Sequence, residues 1–224
     1  MRLHQTSNFD HLDLLVERYT DRQQTIGVFP GAFKPPHRGH FKTAASACAE
    51  CDEVHIIMSP KERMLNQPSK TLNQPESAKY QGLMPGGNTN KQIMTKVKIE
   101  TAEVDRLTSA SAMRAEICDV SYGLNDLRTF EQCMNKYLPE QLTDRRKQQV
   151  VRRLYRARQD DKIEPREAQM VWRIYIDQLR ELFKDTKIML KVAKVSPIAD
   201  TYALALELFE QTQETVTLRL YTGQ

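Results

Sequence analysis

Hydrophobic residues along this chain change period several times, and the changes mark out its elements. Residues 8–19 place Phe9, Leu12, Leu15, Val16 and Tyr19 at helical spacing, which predicts a short amphipathic helix within an N-terminal extension, 1–22. An apolar run at 26–29, with Ile26, Val28 and Phe29, then predicts a buried strand. A helix over 39–49 and a second apolar run at 53–59 complete a strand–helix–strand unit of about 35 residues.

Periodicity then fades. Residues 67–90 are rich in Pro, Gly, Asn, Gln and Ser, and Leu-Asn-Gln-Pro occurs at both 65–68 and 72–75. Turn chemistry over this length predicts a surface loop or lid across 66–92. Weak alternation at 96–102 predicts a third strand. Helical spacing returns over 111–120, 125–136, 143–159 and 164–184, with Pro165 at the first position of the last. A strand at 187–193, a helix at 198–213 and a strand at 214–221 close the chain. Five strands with helices between them predict an α/β fold: an open, mostly parallel five-stranded sheet with extra helices, in one domain spanning 1–224.

Composition adds bounds. A chain of 224 residues can bury a full core. Charged residues at 28% and apolar ones at 40% describe an ordinary soluble protein. No apolar run approaches membrane-span length and the N-terminus has no signal-peptide core, so no membrane contact is expected. Four cysteines form no disulfide framework, which points to a reducing, cytoplasmic compartment. Cys48 and Cys51 make a C-x-x-C, but Cys118 and Cys133 supply no second close pair, so both read as residues near a helix end.

The net charge of +4 is unevenly spread. Within the helical, basic segment 124–160, residues 143–158 carry Arg145, Arg146, Lys147, Arg152, Arg153, Arg156 and Arg158 against the single acid Asp144. Val150, Val151, Leu154 and Tyr155 form an apolar stripe between them. Two readings are open: a docked helix with a solvated basic face, or contact with nucleic acid or a larger assembly.

The densest chemistry lies at 27–40, Gly-Val-Phe-Pro-Gly-Ala-Phe-Lys-Pro-Pro-His-Arg-Gly-His. Pro35 and Pro36 keep the chain extended up to the helix start, and Gly31 and Gly39 allow close backbone approach. His37 and His40, three apart, share one face of a first helical turn. Free N–H groups and the dipole there favour an anion. Capping or surface placement is the plain alternative; a phosphate site is the functional one. A second segment, 106–114, reads Arg-Leu-Thr-Ser-Ala-Ser-Ala-Met-Arg and opens a helix after the third strand. Ser109 or Ser111 is a natural N-cap, and with Arg114 either serine could equally cradle phosphate.

Together, 31–40 and 108–114 resemble the H-x-G-H and I-S-S-T-x-x-R motifs of the cytidylyltransferase-like nucleotidyltransferases. That superfamily includes nicotinamide-mononucleotide and phosphopantetheine adenylyltransferases. The Gly-Ala-Phe-Lys-Pro-Pro-His form is similar to members often encoded by bacteriophages, implying host cytoplasm or virion as the location. The resemblance implies a Rossmann-like fold and attack by a substrate phosphate on the α-phosphorus of a nucleoside triphosphate. Pyrophosphate leaves and Mg²⁺ assists.

It implies His37, His40 and Arg114 as catalytic, with Phe29, Gly31, Ala32, Phe33, Lys34, Gly39, Thr108, Ser109 and Ser111 around the nucleotide. Arg38, Lys61, Arg63 and Arg106 are candidates for the phosphorylated acceptor, each with a solvated-surface alternative. ATP is favoured over CTP because Arg114 resembles the adenylyltransferase arginine and the R-T-x-G-I-S-T-T form is absent. A non-catalytic nucleic-acid-binding or assembly protein on the same fold is the alternative. Ala32 stands where relatives often carry Ser or Thr, and Lys34 where Asp is frequent. The Ser-rich segment also precedes residues 163–223, whereas in relatives it follows the last strand, so the element order looks permuted.

Overall fold

The computed structural model describes residues 24–65, 82–83, 93–104, 108–119, 126–212 and 215–223. The expected N-terminal helix, most of the 66–92 loop and Arg106 lie outside them. Five strands, β1 (Thr25–Gly31), β2 (Glu53–Met58), β4 (Val97–Val104), β6 (Lys187–Val192) and β7 (Val216–Gly223), form one sheet. Its order is β4-β7-β1-β2-β6, and all four neighbouring pairs are parallel. Both late strands therefore join the sheet of β1. The last strand of the chain slots between β1 and β4. A pair that periodicity did not reveal, β3 (Arg63–Met64) with β5 (Lys162–Ile163), is antiparallel. Two-residue strands are too short to show a period.

Six helices complete the described fold: α1 (Arg38–Glu50), α2 (Ala110–Cys118), α3 (Leu127–Asn135), α4 (Asp144–Gln159), α5 (Pro165–Leu182) and α6 (Pro197–Gln211). Strand alternation divides the core between the two sheet faces. Ile26, Val28, Ile57, Leu218 and Leu220 meet Leu204 and Ala205 of α6 on one side. Phe29, Val54, Ile56, Met58 and Tyr221 meet Phe41, Ala44 and Cys48 of α1 and Trp172 and Tyr175 of α5 on the other. Leu83, inside the stretch expected to be a surface loop, is fully buried on the α6 side.

Each helix has a local reason to start where it does. Thr143, Ser196 and Ser109 cap α4, α6 and α2, each side-chain oxygen accepting a backbone N–H of the first turn. Glu164 and Glu167 make a capping box with Pro165 at the start of α5. On α5, Ala168, Val171, Trp172, Tyr175, Ile176 and Leu179 form a continuous buried stripe. Truncating the fully buried Trp172 to Ala would cost about 3–5 kcal/mol.

Because the sheet is parallel, the loops after β1, β2, β4 and β6 all leave from its carboxyl edge, where open α/β sheets take ligands. The histidine loop follows the central strand. The Ser-rich segment follows an edge strand two positions away, about 10 Å across the sheet.

Candidate functional site: the junction of the histidine loop and the Ser-rich helix

His37 is the N-cap of α1, in extended backbone. Its Nδ1 accepts the Gly39 N–H at 3.1 Å, while the His37 N–H donates to His40 Nδ1 at 3.3 Å. The two rings stack with centroids 3.7 Å apart and planes inclined by 22°. A neutral imidazole whose Nδ1 accepts a hydrogen bond carries its proton on Nε2. The capping box thus sets the tautomer of both rings and makes each Nε2 a donor. His37 is buried and His40 half-buried.

The loop before them is braced on every side. Phe33 takes a left-handed φ of 52°, an uncommon state for an aromatic residue. Its ring packs edge-on against Phe29, Trp172 and His40 at centroid distances of 4.8, 5.1 and 5.0 Å. Gly31 makes room for it, since a Cβ there would stand 2.6 Å from that ring. The Lys34–Pro35 peptide is cis. The Pro36 carbonyl accepts from the Tyr175 hydroxyl at 3.4 Å, and the Arg38 N–H donates to the Tyr137 carbonyl at 2.7 Å.

The Ser-rich segment meets this loop directly. A Cβ on Gly39 would lie 3.7 Å from the Thr108 nitrogen and 3.0 Å from the His37 ring. Arg114, buried in α2, donates from Nη1 to the Lys34 carbonyl at 2.8 Å and from Nη2 to Ser111 Oγ at 3.1 Å. Ser109 Oγ caps α2 through the Ala112 N–H at 3.0 Å. Tyr137 adds a second tie, its hydroxyl donating to Glu116 on α2 at 3.4 Å.

The junction is cationic. Lys34 is only 3% exposed, and its Nζ donates to the Ser59 carbonyl at the carboxyl end of β2, at 2.9 Å. Burial pushes its pKa down to about 8, with Glu62 pulling the other way. Burial, and then the nearby Arg63 charge, lower that of Arg114, yet a guanidinium stays charged at any working pH. Oriented donors and cations gathered at two helix starts can hold the oxygens of a polyphosphate.

Of the residues singled out from sequence, Phe29, Gly31, Phe33, Lys34, His37, Arg38, Gly39, His40, Thr108, Ser111 and Arg114 belong to this connected set. Ser109 joins it as the cap of α2. Arg63, on β3, reaches it electrostatically through Arg114. Ala32 and Lys61 are exposed. Sequence reasoning missed Ser59, Tyr137, Trp172 and Tyr175. Trp172 and Tyr175 lie in the buried stripe of α5, and Ser59 and Tyr137 act largely through backbone carbonyls that carry no sequence signal.

Comparison with known proteins gives two partial likenesses. The chain is 42% identical over 57 residues to the trifunctional NAD biosynthesis/regulator protein NadR of Salmonella typhimurium. It is 40% identical over 57 residues to the NadR of Escherichia coli. Each match covers 24% of this chain, and the chain spans only 14% of the length of either relative. No family model matches the chain, and no solved structure does.

Two other sequence features resolve more plainly. Cys48 and Cys51 are buried; burial pushes the Cys48 thiol up to about 12 and also raises that of Cys51. Both stay protonated, as helix-end residues and not as reactive thiolates. Among the described residues, no group of three His, Cys, Asp or Glu side chains is placed to hold a metal ion. No helix among them is long and apolar enough to cross a membrane.

Proposed function

We propose that the protein is a nucleotidyltransferase. It transfers a nucleoside monophosphate from a triphosphate, ATP before CTP, to a small phosphorylated acceptor. The observation that carries the reading is the direct contact between the two segments. His37 and His40 stack with their tautomers locked, Gly39 between them in sequence lies against Thr108, and Arg114 is bound to the loop that delivers them. The partial likeness to proteins named for NAD biosynthesis supports it and makes a mononucleotide the first acceptor to test.

On this reading an acceptor phosphate oxygen attacks the α-phosphorus, the bond to the bridging β-phosphate oxygen breaks, and pyrophosphate departs with the electron pair. A phosphate oxyanion needs no general base, so rate comes from positioning and charge stabilisation. The Nε2 donors of His37 and His40 hold the reacting phosphates. Arg114, Thr108, Ser109 and Ser111 hold the β- and γ-phosphates. Lys34, Arg38 and Arg63 supply positive charge toward the acceptor or the leaving pyrophosphate. Mg²⁺ would supply further charge neutralisation. With no carboxylate cage among the described residues, it fits as a metal carried on the triphosphate, its usual mode with nucleotides.

The test is a thermal-shift screen of nucleoside triphosphates with Mg²⁺, followed by pyrophosphate release with candidate mononucleotides. Binding must raise the melting temperature. A shift with ATP, and release lost in His40→Ala, is the expected result. Absence of any triphosphate shift overturns the reading.

A further inference from the structure

The basic helix α4 divides its cations into two groups that the sequence could not tell apart. Val150, Val151, Leu154 and Ala157 are buried against the rest of the fold. Arg146 is held in place by Gln178 and by both carboxylate oxygens of Glu181, at 2.7–2.8 Å. Arg158 donates to the Asp119 carbonyl at 2.9 Å and lies over the Phe130 ring. These two cations serve the fold.

The opposite side is different. Arg145, Gln148, Gln149, Arg152, Arg156 and Gln159 are all exposed. At about 100° per residue they fall within one strip roughly 100° wide, facing away from the buried stripe. The three arginines run about 16 Å along the helix and make no ion pair among the described residues. No acid and no apolar side chain interrupts the strip.

We propose that this face of α4 binds the phosphate backbone of a nucleic acid strand. Arg152 and Arg156 are about 6 Å apart along the helix, close enough to engage neighbouring phosphates, and Arg145 extends the track. The interleaved glutamines present donors and acceptors to sugar and base edges. A membrane surface fits less well, because Val150, Val151, Leu154 and Ala157 are buried and half-buried Tyr155 packs against the Phe130 ring, which leaves no exposed apolar side chain on α4 to enter a bilayer. The proposal is independent of the histidine site.

The test is fluorescence anisotropy with a labelled single strand and duplex of about 20 nucleotides, over about 50 to 200 mM potassium chloride. Wild-type protein should bind and weaken steeply with salt. The triple variant R145A/R152A/R156A should bind roughly 10- to 100-fold more weakly, with the salt slope reduced by about 2 to 3. Its melting temperature and its response to triphosphates should not change, since these side chains are exposed and outside the site. His40→Ala should bind oligonucleotide like wild type. No binding at the lowest salt, or an unchanged slope in the triple variant, overturns the proposal. So does preferential binding to polyglutamate or to phosphatidylserine vesicles.

Discussion

His37 has two separable jobs, and two substitutions pull them apart. Its Nδ1 caps α1, and its stacked ring is the proposed phosphate donor. In His37→Ala the Gly39 N–H loses its acceptor, a cap loss of about 1 kcal/mol. The ring is 4% exposed, so its removal also leaves a partly filled void costing about 1–2 kcal/mol. Together these should lower the melting temperature by about 5–10 °C, at about 2–4 °C per kcal/mol for a chain of this size. His37→Asn restores a side-chain oxygen at a position where Asn caps well, and should recover about 2–4 °C. Neither variant restores the imidazole. A hydrogen bond to a charged group is worth about 1.5–3 kcal/mol, so both should bind triphosphate about 10- to 100-fold more weakly by calorimetry. Wild-type affinity in His37→Asn would reduce the ring to a cap and refute its role in phosphate binding. An unchanged melting temperature in His37→Ala would refute the capping argument.

Gly39→Ala should trade one effect against another. Alanine gains up to about 1 kcal/mol of helix propensity, but its Cβ meets the His37 ring at 3.0 Å and must displace it. Stability should stay within about 1 kcal/mol of wild type while triphosphate affinity falls at least about tenfold; unchanged affinity would show that the ring position does not matter. Lys34 makes stability depend on pH with a definite sign. Its pKa is lowered from 10.5 to about 8 in the fold, so between those values the unfolded chain holds more protons and this group's contribution to stability rises with pH. Above about pH 9 the raised Cys48 thiol acts in the opposite direction. The check is therefore the difference in unfolding free energy between wild type and Lys34→Met, which should shift in favour of wild type from pH 7.5 to 9.5; a flat difference would refute the burial of that ammonium.

Much of the fold was legible because helices and buried strands announce themselves by period. All five sheet strands and six of the seven expected helices appear within a few residues of their predicted bounds, the seventh falling at 8–19, outside the described residues. The differences are instructive. Strand 214–221 becomes Val216–Gly223 and helix 198–213 becomes Pro197–Gln211, because ends are set by caps and pairing more than by hydrophobicity. The β3–β5 pair is two residues a side and exists only because the β2 loop meets the turn after α4, where the Leu65 N–H donates to the Asp161 carbonyl. Tyr155, assigned to the apolar stripe of α4, is half-buried, and Ala157 takes the deeper position.

Sequence by itself determined the α/β class, the strand–loop–helix that carries His37 and His40, and the existence of a second, Ser-rich helix start that leads to Arg114. Those features are local: a period, a pair of prolines, a capping residue, each acting over a few positions. Only tertiary structure decided that β7 inserts between β1 and β4, that Thr108 crosses about 10 Å of sheet to lie against Gly39, and that Arg114 grips the carbonyl of Lys34. It also decided which arginines of α4 are spent on the fold and which face outward. Such contacts join residues far apart in the chain, 80 positions for Arg114 and Lys34 and more for the pairing of Thr25 with Thr217, through backbone atoms and burial, and neither leaves a mark on the order of side chains.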